Sequence, residues 1–435
     1  MSARNTALAA LIACRKNDAW SDGVLKDYIR RDRLDSRDAA LATRLCYGVV
    51  QNRLLLDFYL TEFVKGGLRK LQPVVQDILR LGVYQIVFMD RIPPSAAVNE
   101  AVEQGKRYAN PRAAGLINGV LRSVLRAGKD LPQPSDLATR YSHPEGLVEL
   151  LRDNVGEDLL EPLLQSHNTS PATVVQVNPL KTTEADLCRR WDEQGVTYAP
   201  HPWMMGCYEL SGTGNLEQMD TFRDGSLLVQ DAAAKLPAVV ADIEPGMSIL
   251  DCCAAPGGKS FAAAMALQNR GKLISCDIHP HKIQLIEKGA ERLGIETLTA
   301  QVQDASAFNP QWENAMDVVL ADVPCSGLGT IRKKPDIRYK ALKPLEGLPA
   351  VQRRILENVC RYVRPGGVLV YSTCTILHRE NEDIVDSFLR EHPDFAAERM
   401  ALPEGLGAGA VSRLTLLPCV HQCDGFFVAK LRKLP

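Results

Sequence analysis

Apolar residues recur at the three- and four-residue spacing of amphipathic helices through the first part of the chain. Clear examples are Ala7–Ile12 and Asp38–Val50. Ser36 and Ser95 stand where helix N-caps are expected, because a hydroxyl at that position can accept a hydrogen bond from a backbone N–H group. The pattern predicts that residues 3–127 form an all-helical unit.

A shorter region with a mixed pattern follows the turn-rich stretch Gly128–Asp136. Helical periodicity predicts one helix at residues 144–166 and another at Thr183–Gln194. Ala172–Val177 and Cys207–Leu210 are short apolar runs of the kind that form strands. The region predicts a small α/β unit.

From residue 248 onward, short apolar segments alternate with amphipathic helical segments. Such alternation is typical of a mostly parallel sheet covered on both faces, whose ligands bind at the carboxyl ends of the strands. Two closing segments, Arg413–Leu417 and Gly425–Leu431, are predicted to be antiparallel edge strands, with a flexible loop at 405–410 before them. The parallel-strand candidates are Ser248–Asp251, Lys272–Cys276, Thr297–Val302, Met316–Leu320 and Val368–Tyr371.

Composition and charge narrow the class of protein. The 435 residues are 46% hydrophobic and 24% charged, which is typical of a globular protein with two or three domains. No apolar run reaches membrane-spanning length and the first residues lack a signal-peptide core, so we expect a cytoplasmic protein with no membrane partner. Residues 1–140 hold 22 Lys and Arg against 14 Asp and Glu. This excess favours a unit that faces nucleic acid, with an ordinary solvated surface as the alternative.

The cysteines do not form a metal-binding pattern. There are 12 of them, none in a C-x-x-C pair. The nearest approach, Cys419-Val-His421-Gln-Cys423, lacks a second half in ligand spacing. We therefore expect reduced cysteines and no bound metal.

The stretch Ser248–Ser260 is predicted to form a buried strand, a glycine turn and the start of a helix. Its two glycines allow a ligand to approach the backbone N–H groups at the helix start. The turn is not a P-loop, because Cys253 stands where the first glycine of that motif would be. Asp277 ends the next strand, where doubly wound folds place the acid that binds ribose hydroxyls, and Asp304 follows the third. Each acid alone is also an ordinary turn residue, but their repetition at strand ends favours an adenosine-bearing ligand.

Two cysteines follow later strands, Cys325 in Asp322-Val-Pro-Cys and Cys374 in Ser372-Thr-Cys. A buried cysteine is usually inert, but a position at the ligand edge of the sheet favours reactivity. A thiolate can add to an electron-poor ring carbon and make the neighbouring carbon nucleophilic, as at C6 and C5 of a pyrimidine. Asp322 could hold the polar edge of such a base. These considerations leave open which cysteine attacks.

The three motifs at 251–259, 322–325 and 372–374, in this order, resemble those of the RNA cytosine-5 methyltransferases that use S-adenosylmethionine. The resemblance covers residues 145–435, and the basic helical part resembles the NusB-type RNA-binding domain. It implies a multidomain protein with three parts. These are an all-α NusB-like domain at 1–140, a small α/β subdomain at 141–230 and an α/β Rossmann-like methyltransferase domain with a mostly parallel sheet at 231–435.

The resemblance also implies roles for individual residues. Cys374 would be the nucleophile at cytosine C6, and Cys325 would assist release of the methylated product. Asp322 would lie near both the cofactor and the base. Asp277 would bind the ribose hydroxyls, and Asp304 the adenine amino group. The loop around the methionine part of the cofactor would consist of Cys253, Ala254, Ala255, Pro256, Gly257, Gly258 and Lys259.

The implied function is S-adenosylmethionine-dependent methylation of cytosine C5 in 16S rRNA. The implied enzyme is a monomer that acts on free or early-assembly rRNA and not on DNA. The alternatives are methylation of tRNA or another RNA, and a non-catalytic RNA-binding assembly factor. The basic segment Gly329–Lys340 is predicted to be an exposed loop that touches the RNA backbone. Many relatives have serine where this chain has Thr375, a change that keeps the hydroxyl.

Overall fold

The computed structural model describes residues 2–17, 19–406 and 411–435, so most of the predicted loop at 405–410 lies outside the described residues. The chain forms two compact units. Met1–Thr169 and Lys333–Lys340 form the first, named here the helical unit. Ser170–Arg332 and Ala341–Pro435 form the second, named here the sheet unit. Within the described ranges, no helix is long and apolar enough to cross a membrane.

Amphipathic helices enclose an apolar core in the helical unit, where Leu45, Leu56 and Ile78 are fully buried. The predicted N-caps are wrong: Asp35 caps the third helix by accepting from the backbone N of residue 38, and Ser95 lies inside a helix that begins at Pro94. Proline fits this first position because its missing N–H would have had no helical partner. The helices are α1 Ala3–Asn17, α2 Ser21–Asp32, α3 Ser36–Gln51, α4 Arg53–Phe63, α5 Pro73–Phe88, α6 Pro94–Tyr108, α7 Pro111–Ala127, α8 Leu137–Arg140, α9 Glu145–Val155 and α10 Glu157–Ser166.

The single helix predicted at 144–166 is two helices, α9 and α10. Gly156 separates them with a φ of 77°, a left-handed conformation that glycine adopts without steric cost. Helical periodicity is preserved on both sides of this residue, so the apolar pattern alone does not reveal the break.

Segment Lys333–Lys340 folds with the helical unit although its neighbours in sequence belong to the sheet unit. Arg338 is buried, and its guanidinium donates to Gln51 O at 2.8 Å, Asn168 Oδ1 at 3.0 Å and His167 O at 3.3 Å. Carbonyl groups therefore accept from its two terminal nitrogens in place of water, whereas its Nε has no hydrogen-bond partner among the described residues. The prediction of an exposed RNA-contacting loop is wrong for this residue.

The side chain of Arg332, the last residue before this segment, is also largely shielded from solvent and does not fit the predicted RNA contact. Its guanidinium lies 3.0 Å from Asp424 Oδ1 and 3.5 Å from Asp231 Oδ2, and only 9% of its side chain is exposed. Two buried carboxylates offset the cost of burying this charge. Of the predicted basic loop, Lys334 remains exposed.

The sheet unit contains a small antiparallel sheet with strand order β2-β3-β1-β4. Trp191 of the helix that follows β1 is fully buried against it. The strands are β1 Thr173–Val177, β2 Thr197–Pro200, β3 Cys207–Ser211 and β4 Leu227–Val229; the helices of this part are α11 Glu184–Gln194 and α12 Asp220–Arg223. Helix α13 Ala232–Val240 follows and packs in the core of the second, larger sheet.

The large sheet has eight strands in the described residues, in the order β10-β12-β9-β8-β5-β6-β7, with β11 paired to β12. The five strands β5 to β9 run parallel, and β12 joins β9 antiparallel. The prediction of β12 as an edge strand is wrong, because it pairs on one side with β9 and on the other with β10 and β11. The strands are β5 Ser248–Asp251, β6 Lys272–Asp277, β7 Leu298–Val302, β8 Met316–Asp322, β9 Val363–Thr373, β10 Phe395–Ala397, β11 Arg413–Leu416 and β12 Phe426–Lys433.

Helices cover both faces of the large sheet. Along β8, Val318 and Leu320 belong to one apolar core, while Val319 and Ala321 belong to another. Both faces of the sheet are thus shielded from water, which explains why its strands are continuous apolar runs in the sequence. The helices are α14 Gly258–Leu267, α15 Pro280–Leu293, α16 Leu348–Val359, α17 Glu382–Glu391 and α18 Pro418–His421.

Candidate active site

The glycine turn joins the end of β5 to the start of α14, as the sequence predicts. Asp251 ends the strand and is fully buried, and its Oδ2 accepts a 2.7 Å hydrogen bond from Ser260 Oγ. Burial raises the pKa of the Asp251 carboxyl to about 6, although the bond from Ser260 opposes the shift. Its Oδ1 has no hydrogen-bond partner among the described residues. Burial of a carboxyl with one unbonded oxygen costs free energy of folding, and an apolar side chain at this position would avoid that cost.

Gly257 gives the turn its shape. Its φ is 115°, and a Cβ at this position would lie 2.3 Å from the Phe261 ring. Helix α14 begins directly after it without a side-chain cap. The first N–H groups of the helix are therefore available to an anionic ligand group.

The two predicted ribose and adenine acids follow β6 and β7. Asp277 is nearly buried, and its carboxylate accepts from the backbone N of His279 at 2.9 Å. Asp304 is exposed and accepts from Ser306 N and Oγ, and these bonds lower its pKa. The strand order puts Asp277 beside the glycine turn and Asp304 one strand further from the cysteines.

Lys259 and Asp322 connect the glycine turn to the neighbouring strand end. The Lys259 Nζ lies 2.6 Å from Asp322 Oδ2, with 13% and 25% of the side chains exposed. The other carboxylate oxygen of Asp322 accepts from Ser372 Oγ at 2.9 Å. Burial disfavours the Lys259 ammonium, but the attraction of Asp322 outweighs it and raises the pKa of Lys259. This lysine therefore stays charged at the site.

Cys325 and Cys374 meet although 49 residues separate them, with their Sγ atoms 3.2 Å apart. Parallel pairing of β8 with β9 places Asp322 opposite Ser372, so the loops that follow the two strands are neighbours. The contact with the Cys374 sulfur, together with burial, raises the pKa of Cys325 well above its ordinary value. Cys325 therefore holds its proton at neutral pH, and an S–H group can donate to the neighbouring sulfur.

Further contacts join the two cysteine loops. Ser326 Oγ and Thr375 Oγ1 lie 2.7 Å apart. The threonine that stands in place of the usual serine therefore uses its hydroxyl in a hydrogen bond between the two loops. Gly329 N donates to Cys374 O at 3.0 Å. A Cβ on Gly329 would lie 1.9 Å from Gly425 O, so only glycine allows this approach.

Three residues that the sequence analysis did not single out lie behind these loops. Glu380 and Gln352 are fully buried and contact the Pro-Cys loop. Asn381 is fully buried and contacts the Thr-Cys loop. The run Glu380-Asn-Glu382 before an amphipathic helix has the pattern of an exposed helix start, so the sequence carries no signal of their burial.

Family models match three consecutive parts of the chain. The 16S rRNA methyltransferase RsmB/F model matches residues 238–432, and the NusB family model matches residues 1–126. A ferredoxin-like domain of RsmF/B-type methyltransferases matches residues 143–217. These matches and the two sheets confirm the fold class expected from the sequence.

Curated relatives match along the whole chain. The probable ribosomal RNA small subunit methyltransferase B of Bacillus subtilis is 36% identical, covering 99% of this chain and 99% of its own length. Its counterpart in Synechocystis is 32% identical, with 100% of both chains covered.

Solved structures share the fold. A methyltransferase homologue from Pyrococcus horikoshii is 26% identical with a TM-score of 0.59, over 70% of this chain and 100% of its own. Another solved chain covers 99% of this one and 98% of its own, with a TM-score of 0.82 and 25% identity. The chain therefore belongs to the 16S rRNA methyltransferase RsmB/F family and is an rRNA methyltransferase.

Proposed function

We propose that this enzyme methylates C5 of a cytosine in 16S rRNA, with S-adenosylmethionine as the donor and a covalent bond between Cys374 and cytosine C6 as the intermediate. The observation that carries the proposal is the 3.2 Å approach of the Cys325 and Cys374 sulfurs beside the Lys259–Asp322 ion pair. Two thiols and an ion pair at adjoining strand ends supply a nucleophile, a proton carrier and a polar contact for the base.

The glycine turn fits the cofactor that the family implies. The uncapped start of α14 offers backbone N–H groups to a carboxylate, and Gly257 keeps the approach open. Asp277 would hold the ribose hydroxyls and Asp304 the adenine amino group. The wall beside the methionine part would be formed by the loop Cys253–Lys259. When bound, the cofactor supplies an electrophilic methyl group.

The family resemblance of the Thr-Cys motif assigns Cys374 as the nucleophile, and the protonation of Cys325 supports its separate role. Cys374 adds through its sulfur to C6, which makes C5 nucleophilic enough to take the methyl group. Cys325 keeps its proton, because its contact with Cys374 and its burial raise its pKa. It therefore suits the later step as a proton carrier. As the C6–sulfur bond breaks, the Cys325 thiol donates its proton to the departing Cys374 sulfur, and the Cys325 thiolate so formed takes the proton from C5, whose electron pair forms the C5–C6 double bond. Asp322 would hold the polar edge of the base while the contact with Lys259 fixes the position of its carboxylate.

The substrate proposal rests on the family and on the helical unit. Relatives named ribosomal RNA small subunit methyltransferase B match along the whole chain, and residues 1–126 match the NusB family. The basic excess of residues 1–140 suits contact with RNA phosphates. We assign RNA contact to the domains at 1–140 and 141–230 and catalysis to 231–435. The target base would have to leave its stack to reach the cysteines.

Single-cysteine variants test the chemistry. Cys374→Ala should abolish methyl transfer to deproteinised 16S rRNA, whereas Cys325→Ala should accumulate a protein–RNA adduct that survives a denaturing gel. Cys188→Ala, on helix α11 of the small α/β part, is the matched control and should behave as the wild type. Full activity in Cys374→Ala would show that another group attacks the base.

Two further measurements separate the alternatives. A non-catalytic assembly factor would take up no S-adenosylmethionine in calorimetry, whereas we expect saturable binding that Asp277→Asn weakens. An enzyme directed at tRNA would prefer tRNA to 16S rRNA as the methyl acceptor in a direct comparison. Preference for 16S rRNA is the expected result.

A further inference from the structure

We propose that Glu380 and Asn381 are positioning residues that set the two cysteine loops independently, Glu380 for product release and Asn381 for attack on the base. They are neighbours in sequence, at the end of the short 3-10 helix His378–Glu380 and the start of α17. The inference rests on the roles proposed above for Cys325 and Cys374.

Glu380 holds the Pro-Cys loop. Its Oε2 accepts from the backbone N of Ser326 at 2.9 Å, which fixes the peptide that follows Cys325. The same oxygen accepts from Gln352 Nε2 at 2.9 Å, and Gln352 Nε2 also lies 3.0 Å from Pro324 O. The loop is thus held on both sides of the cysteine, before it at Pro324 and after it at Ser326.

Asn381 holds the Thr-Cys loop in the same bracketing way. Its Oδ1 accepts from Thr373 Oγ1 at 2.6 Å, just before Cys374. Its Nδ2 donates to Thr375 O at 3.1 Å, just after that cysteine. Both residues beside the proposed nucleophile are therefore bonded to one buried amide.

The burial of Glu380 distinguishes this arrangement from ordinary support of the fold. The residue is fully buried, its contacts are neutral donors, and its Oε1 has no hydrogen-bond partner in the part of the chain that the structure describes. A buried carboxyl so incompletely bonded destabilises a protein relative to an apolar side chain of similar volume. Such a group is expected where position matters more than stability.

The two contacts lead to opposite kinetic effects. Loss of the Glu380 carboxylate frees the Pro-Cys loop, so Cys325 no longer stands where it assists release, while Cys374 can still attack. Loss of the Asn381 amide frees the nucleophile itself, so the first bond forms slowly. A misplacement of about 1 Å changes rates by on the order of a hundredfold, and we expect effects between tenfold and that size.

The test follows the covalent adduct in the full-length enzyme with 16S rRNA and S-adenosylmethionine. Glu380→Ala should accumulate adduct on a denaturing gel as Cys325→Ala does, and the double variant should accumulate no more than Cys325→Ala alone, because both changes act on one step. Asn381→Ala, placed in the Cys325→Ala background, should slow adduct formation. Glu380→Gln keeps an acceptor oxygen for Ser326 and should restore turnover.

Glu382→Ala is the matched control, because this neighbouring carboxylate accepts from Thr415 on β11 and contacts neither cysteine loop in the described structure. It should show the wild-type balance of attack and release. If Glu380→Ala does not fold, Gln352→Leu removes the second donor of the same contact and should also accumulate adduct. Melting temperature and S-adenosylmethionine affinity report whether each variant is intact.

Three results would overturn the inference. The first is a folded Glu380→Ala enzyme that releases product at the wild-type rate while Cys325→Ala accumulates adduct. The second is adduct accumulation in Glu380→Gln as strong as in Glu380→Ala, since the acceptor oxygen is retained. The third, absence of adduct in Cys325→Ala itself, would overturn the proposed chemistry together with the positioning roles.

Discussion

Replacing Asp251 by asparagine should stabilise the sheet unit above pH 6 and have a smaller effect near pH 4. The carboxyl is fully buried, and burial raises its pKa from 3.8 to about 6 in the folded chain. The folded state therefore prefers the protonated form. Its contribution to stability is fully present below pH 3.8 and is lost as the pH rises through about 6. Asparagine can still accept the bond from Ser260 but does not titrate in this range.

The size of the effect follows from the shift in pKa. About two units correspond to roughly 3 kcal/mol, so the free energy of unfolding of the variant relative to the wild type should rise by that amount between pH 4 and pH 8. Most of the rise should fall between pH 4 and 6. All other titrating groups are common to the two proteins, so their contributions cancel in the difference. Packing differences between the two side chains add a constant that does not change with pH.

Urea unfolding followed by tryptophan fluorescence measures this difference, because Trp191, Trp203 and Trp312 lie in the sheet unit. The slope of unfolding free energy against urea must agree between the two proteins for the comparison to hold. A difference that stays flat from pH 4 to pH 8, or that falls as the pH rises, would refute the account of Asp251. We also expect weaker binding of S-adenosylmethionine by the stabilised variant, since strained groups are retained at sites of function.

Three further predictions concern other contacts. Gly329→Ala should destabilise the protein by about 2 kcal/mol and reduce methyl transfer, because its Cβ would collide with a backbone oxygen, whereas Gly347→Ala, with open space around it, should be neutral in the same thermal melts and assays. Arg338→Met should cost about 3 kcal/mol in thermal unfolding by leaving buried carbonyl groups unbonded, and lysine at this position should recover only part, because one ammonium cannot reach the same set of acceptors; equal stability of all three proteins would contradict this. Hydrogen peroxide should oxidise Cys325 and Cys374 to a disulfide, since their sulfurs lie 3.2 Å apart, and the peroxide is reduced to water. Mass spectrometry should show the loss of two hydrogens, and dithiothreitol should restore activity. Oxidation to separate sulfenic acids without a crosslink would argue against the contact.

The periodicity of the sequence was sufficient to predict the parallel strands and the helices between them. Strand β5 begins and ends where the spacing of apolar residues places it. The meeting of Asp322 with Lys259 follows from the same pattern, because neighbouring parallel strands end at one edge. Such features depend on local sequence, so a single chain reveals them.

Features that depend on distant partners were not predictable. Arg338 lies in a run of basic residues and has the pattern of an exposed loop, yet its acceptors come from residues 170 to 287 positions earlier in the chain. The burial of Glu380 was not predictable for the same reason. Its donor, the backbone N of Ser326, lies in the loop after β8 and comes close only because β8 pairs with β9. A charge is buried only where such donors converge, and sequence spacing does not report their convergence.

The membership of Lys333–Lys340 in the helical unit has a consequence for synthesis on the ribosome. The helices of this unit are complete by residue 169, but the segment that supplies Arg338 emerges only after residues 170–332 have been made. At translation rates of about 5–20 residues per second, the delay is on the order of 10–30 s. During this interval the carbonyl groups that Arg338 will bond remain open to water. The helical unit therefore cannot be completed until residues 170–332 of the sheet unit have been synthesised, although its own helices are made first.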